Sequence, residues 1–109
     1  MEDNFEKVKQ RIADELIDLD LPLQGKPFTY WSFLLNYIFW NIKHDNLQKF
    51  SLIQLYNVVA DEFDTNRFAA ERALREGMRK MNKRIVEKYN IRTKITNGTI
   101  IRLFQLKVF

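Results

Sequence analysis

Residues 52–88 read LIQLYNVVADEFDTNRFAAERALREGMRKMNKRIVEK, and this stretch decides the fold. Leu52, Leu55, Tyr56, Val59, Ala60 and Phe63 recur at three- and four-residue intervals, the period of an amphipathic helix. Ser51 stands ahead of them as a good N-cap. Asp64-Thr65-Asn66 follows, and each of these residues favours a cap or a turn. Ala70, Ala73, Leu74, Met78, Met81 and Ile85 then renew the period, which predicts a second helix from about Arg67 to Tyr89. Two helices joined so tightly, with small Ala60, Ala70 and Ala73 at their crossing, fit a helix-turn-helix. A plain helical bundle with a charged face fits the same spacing. Gly77 sits mid-helix at a cost of about 1 kcal/mol relative to Ala. It points either to a close helix approach or to a mild kink.

Working upstream, Phe5, Val8, Ile12, Leu16 and Leu19 predict a helix from about Asp3 to Asp18, capped by Asp3 or Asn4. Pro22 and Pro27 break the pattern, and Pro27 suits the first turn of the next helix, about Pro27 to Lys43. That helix carries one apolar stripe through Trp31, Leu34, Leu35, Ile38, Phe39 and Ile42, and a second through Tyr30, Phe33, Tyr37 and Trp40. A helix apolar on most of its circumference is central to a fold or shared with a partner. His44-Asp45-Asn46 reads as a loop.

Downstream, Ile91 to Phe109 is rich in Ile, Thr, Val and Phe, with Asn97-Gly98 in the middle. Asn-Gly between β-prone runs is a strong hairpin signal, because both residues tolerate positive φ. The expected hairpin, about 91–108, puts Ile91, Thr93, Ile95, Ile100 and Phe104 on one face, with Arg102 as the exception. It serves either as a wing or as a small cover for the core. The expected fold is therefore mainly α: a single domain over residues 1–109, with about four helices over 3–89 and a C-terminal β-hairpin, winged-helix-like.

Charge is distributed unevenly. Residues 1–66 hold six Lys/Arg against eleven Asp/Glu, and residues 67–109 hold twelve against three. The basic part points to a polyanion, or to simple solvation of one long helix. If helix 67–88 enters the major groove of DNA, Arg67, Glu71, Arg72 and Arg75 are the candidate base contacts. Arg can hold guanine O6 and N7 with two donors, and Glu can accept from cytosine N4. Asn66, Arg79, Lys80, Lys83, Arg84, Arg92 and Lys94 are the candidate phosphate contacts.

Leu55-Tyr56, Val59-Ala60, Phe63-Asp64-Thr65 and Glu71-Arg72-Ala73-Leu74-Arg75 together resemble the C-terminal DNA-binding domain of the sporulation initiation response-regulator family, Spo-zero-A. That family's pattern reads Leu-Tyr-Pro-Asp-Ile-Ala, Phe-Asn-Thr and Val-Glu-Arg-Ala-Ile-Arg. Leu21-Pro22 and Phe28 to Leu35 look like its first helix junction and aromatic second helix. The resemblance covers roughly Ile12 to Met78, most closely from Leu55. It implies operator binding through the second helix of the pair, with Glu71, Arg72 and Arg75 in the base- and backbone-contacting positions, often by tandem copies on DNA. Ala69 replaces a basic residue of the family and Glu76 a frequent His, so the operator need not be shared. After Met78 the likeness fades, and 109 residues leave no room for a phosphoacceptor receiver domain as well.

Composition excludes other chemistry. With no cysteine there is no disulfide or thiolate site. No apolar run approaches the roughly 20 residues that span a bilayer, and the mixed N-terminus is unlike a signal peptide, so the expected location is the cytoplasm, away from membranes. His44 is the single histidine and Ser32 and Ser51 have no histidine near them in sequence, which argues against an enzyme. Asp61, Glu62 and Asp64 are better used in solvation and in pairing with Arg67 than in holding Mg²⁺; no metal and no cofactor are expected. The leading expectation is a transcription regulator that binds double-stranded DNA, alone or as a homodimer. The alternative is a protein-interaction or inhibitor module of mobile-element type, with Tyr30, Phe33, Tyr37 and Trp40 as its contact face.

Overall fold

The computed structural model describes residues 4–42 and 51–109. The expected loop at His44-Asp45-Asn46, a helix end at Lys43 and a helix start at Asp3 lie outside these residues. Five helices follow in order: α1 Phe5–Asp18, α2 Lys26–Asn41, α3 Leu52–Glu62, α4 Arg67–Tyr89 and α5 Asn97–Leu103. A π-helical turn, Phe104–Val108, continues α5, with the Phe109 N–H donating to the Phe104 carbonyl at 2.7 Å. Among the described residues no helix is long and apolar enough to cross a membrane.

Local chemistry accounts for the helix ends. Asn4 caps α1 by accepting from the Lys7 N–H at 2.9 Å. At the other end Asp20 takes a left-handed conformation (φ 70°), and the Leu21 N–H donates to the Leu16 carbonyl at 3.1 Å. This is a Schellman closure, which usually recruits glycine but tolerates Asp. Ser51 and Gln54 form a reciprocal capping box on α3.

The apolar α2 is the hub, packed against α1, α3 and α4. Trp31, Leu34, Leu35 and Ile38 are fully buried in the one core cluster to which all five helices contribute. The Trp31 indole N–H donates to the Leu74 carbonyl of α4 at 2.8 Å, in a buried bond. One helical turn beyond Leu74, a Cβ built on Gly77 would lie 2.8 Å from Trp31 Cδ1, 2.9 Å from its Nε1 and 3.1 Å from Pro27 Cβ. Gly77 is therefore the site of a close helix approach.

The C-terminal hairpin is a correction. Residues 91–108 form no strand, and there is no wing; α5 begins where the Asn-Gly turn was expected. Thr96 and Thr99 make a second reciprocal capping box, with the Thr99 N–H donating to Thr96 Oγ1 at 3.2 Å and the Thr96 N–H to Thr99 Oγ1 at 3.0 Å. Asn97 and Gly98 then become the first two helical residues. Ile100, Ile101 and Phe104 are buried at helical spacing, and Arg102, the misfit of the hairpin pattern, is exposed. An isolated two-stranded hairpin is marginal in water, whereas this helix buries three large apolar side chains in an existing core.

Two substitutions test this packing by urea denaturation. Gly77→Ala should destabilise the protein by about 1–3 kcal/mol through overpacking, although helix propensity alone favours Ala; a net gain in stability would contradict the close contact. Thr96→Ala should cost about 1 kcal/mol by loss of the cap; a hairpin-based tail would not respond in this way.

Candidate nucleic-acid interface

The turn between α3 and α4 is built by the same device that ends α1. Asp64 is left-handed (φ 53°), and the Thr65 N–H donates to the Ala60 carbonyl at 2.9 Å. Asn66 then opens α4 as its N-cap, accepting from the Ala69 N–H at 2.9 Å. Ala60, Ala70 and Ala73 are buried where α3 and α4 pack. Nothing larger than a methyl group is needed there, so the helix backbones can lie close together.

Ala70, Leu74, Gly77, Met81 and Ile85 turn one side of α4 to the core. At 100° per residue, Phe68, Arg72, Arg75, Arg79 and Lys83 fall within an arc of about 80° on the other side, along about 22 Å of helix. Arg72, Arg79 and Lys83 are exposed, with no acidic partner among the described residues. Arg75 is held by Glu71 at 2.9 Å. The predicted base-contact pair therefore first contacts itself, and Glu71 reaches a neighbouring guanidinium. Arg67 is exposed and does not pair with Asp61, Glu62 or Asp64. Its guanidinium lies over the Phe68 ring, 4.9 Å from the centroid.

The phosphate-contact set divides. Asn66 commits its side-chain oxygen to the cap, which leaves only its amide donors. Lys80 stands 4.0 Å from Glu76. Arg84 turns to α1 and sits 3.9 Å from Asp18, away from the arginine face. Arg92 and Lys94 are exposed on the extended segment after α4. Lys94 shares one shallow cleft with Arg79, Asn82 and Met78, and another with Arg75 and Glu71. It thus joins the basic face without any wing.

The sequence reading missed a brace at the far end of α4. The Lys88 ammonium donates to Glu15 at 2.9 Å and to Asp18 at 2.6 Å, and the Tyr89 hydroxyl donates to Glu15. The hydrogen bond to Asp18, reinforced by Glu15, raises the Lys88 amine above its usual range, and the same bond holds the Asp18 carboxyl below the ordinary carboxylate range. Burial, then the hydrogen bond to Glu15, pushes the Tyr89 phenol up to about 12. The available signal was the complementary charge of the two parts of the chain.

The expected aromatic contact face also divides. Tyr30 is buried (6% exposed) and stacked on Phe63 at 4.5 Å, so it belongs to the core. Phe33 meets Phe63 edge-on at 5.5 Å, and Trp40, 45% exposed, meets Phe39 edge-on at 4.9 Å. Phe33, Tyr37 and Trp40 line an open groove of about 510 Å³ with Phe5, Lys9 and Phe28. No α4 residue contributes to it. No protein-family model, curated protein or solved structure matches this chain.

The Tyr89 phenol has a pH signature. Its folded-state pKa is raised from the ordinary 10, so the stability it contributes is complete below pH 10 and is lost as pH climbs from 10 towards 12. Burial raises the Tyr56 phenol as well, so an alkaline titration followed by phenolate absorbance should show a late component near pH 12 that falls by one phenol in Tyr89→Phe. A late component of unchanged amplitude after this substitution would contradict the assignment.

Proposed function

We propose that this protein binds double-stranded DNA in the cytoplasm as a transcription regulator, with the first part of α4 in the major groove. The observation that carries the reading is the set of like charges left open on one side of α4: Arg72, Arg79 and Lys83 lack acidic partners among the described residues, with Arg75 and Lys94 beside them. Cations kept together without counter-charges raise the free energy of the folded chain and favour a polyanionic ligand. Residues 55–75 supply a second, independent support, through their resemblance to the DNA-binding domain of the sporulation regulators.

In this reading Arg72 and Arg75 read guanine through paired donors. Glu71 works mainly by orienting Arg75, because a guanidinium already held at 2.9 Å needs less ordering on binding. Arg79, Lys80, Lys83, Arg92 and Lys94 meet phosphates, whereas Arg84 and Lys88 serve the brace to α1. Five phosphate contacts correspond to a slope of log K against log salt of about −4 to −5.

Fluorescence anisotropy against duplexes selected from a random pool, at several salt concentrations, tests the proposal. Lys83→Ala should weaken binding to all sequences and reduce the salt slope by about one. Arg72→Ala should cost about 1–3 kcal/mol and relax base preference at one position. Absence of salt-sensitive binding to any duplex would sink the reading. A second reading, a protein-interaction module or a self-associating dimer, draws on the open aromatic groove around Trp40. A stoichiometric protein partner or a dimer lost in Trp40→Ala, with no DNA binding, would favour it.

A further inference from the structure

Phe68 is the most exposed large apolar side chain of α4, well ahead of Val86. It is 64% exposed in the first turn of the helix, where a ring of this size is favoured to be covered by a ligand. The ring does not project alone. The Arg67 guanidinium over it restrains its orientation, a cation–π arrangement that costs the arginine none of its charge. Phe68 also lies on the same arc as Arg72, Arg75 and Arg79, and Arg72 follows one turn later, about 6 Å along the axis. An apolar disc thus stands in line with the guanidinium groups of the basic face.

The thymine C5-methyl is the apolar group that a base pair presents in the major groove, and aromatic side chains are suited to contact it. We infer that Phe68 packs against the C5-methyl of a thymine, adding a thymine preference to the guanine preference of the arginines. This inference rests on the DNA-binding reading above. The 6 Å step between Phe68 and Arg72 is about two base pairs at 3.4 Å each. The thymine therefore lies within about two base pairs of the guanine that Arg72 reads. Arg67 holds the ring in place and leaves the base edges to Arg72 and Arg75.

The test replaces each thymine of a selected duplex with uracil, which removes the methyl group alone. Wild-type protein should lose about fourfold in affinity at one thymine, the factor expected for one buried methyl-sized group. Phe68→Ala should bind the thymine and uracil duplexes equally, and Phe68→Leu should retain part of the difference. That position should fall within two base pairs of the one at which Arg72→Ala relaxes preference. Salt-sensitive duplex binding in which no thymine is coupled to Phe68 would overturn the inference and leave the DNA-binding reading standing. Phe68→Ala weakening single-stranded DNA more than duplex would also overturn it, because the ring would then be stacking on unpaired bases. Failure to bind any duplex would remove both readings together.

Discussion

The contact between the Trp31 indole and the backbone of α4 at Leu74 and Gly77 is the constraint on which the arrangement of the other helices depends. An indole N–H buried without an acceptor costs about 1–3 kcal/mol. A carbonyl in the middle of a helix can meet that need only if the ring lies against the helix itself. Gly77 permits this approach, since any Cβ there would fall inside the ring's van der Waals envelope. The bond at 2.8 Å pins the middle of α4 to the hub helix α2. Because α4 is continuous from Arg67 to Tyr89, pinning its middle orients both ends. The first part presents Phe68, Arg72 and Arg79 outwards, and the last turns carry Lys88 to Glu15 and Asp18.

The brace to α1 changes the meaning of the charge imbalance. Exposed ion pairs contribute little stability, usually under about 1 kcal/mol each, so the pairs of Lys88 and Arg84 are not what holds the helices together. Their consequence is selective. They neutralise the cations on the α1 side of α4 and leave Arg72, Arg79 and Lys83 on its outer side open. The excess of positive charge in residues 67–109 thereby becomes a directional feature, a row along one helix face extended by Lys94.

The aromatic helix α2 resolves in a similar way. Its two stripes suit both a central position and an open surface, and the fold uses it for both. Tyr30 and Trp31 go into the core, whereas Phe33, Tyr37 and Trp40 line a groove. Periodicity registers that a residue is apolar at a given angle. It does not register whether a neighbouring helix covers that angle, and here the face of α2 from Phe28 to Asn41 lines an open groove.

The first four helices and the turn at Asp64 to Asn66 were determined by local chemistry, and so were legible in the sequence: apolar residues at helical period, Ser51 and Asn66 at caps, and small residues where α3 meets α4. The charged composition of the outer face of α4 was legible for the same reason. The tail was not. Asn97-Gly98 and the β-branched residues around it satisfy a hairpin locally, and only the presence of a core ready to receive Ile100, Ile101 and Phe104 on one helical face favours α5. Tertiary structure also decided that Gly77 is a contact and that Arg84 and Lys88 belong to α1. Each of these depends on which side chain meets which across the helices. A one-dimensional pattern fixes the face a residue occupies, but its partner is set only when two faces are brought to within a few ångströms.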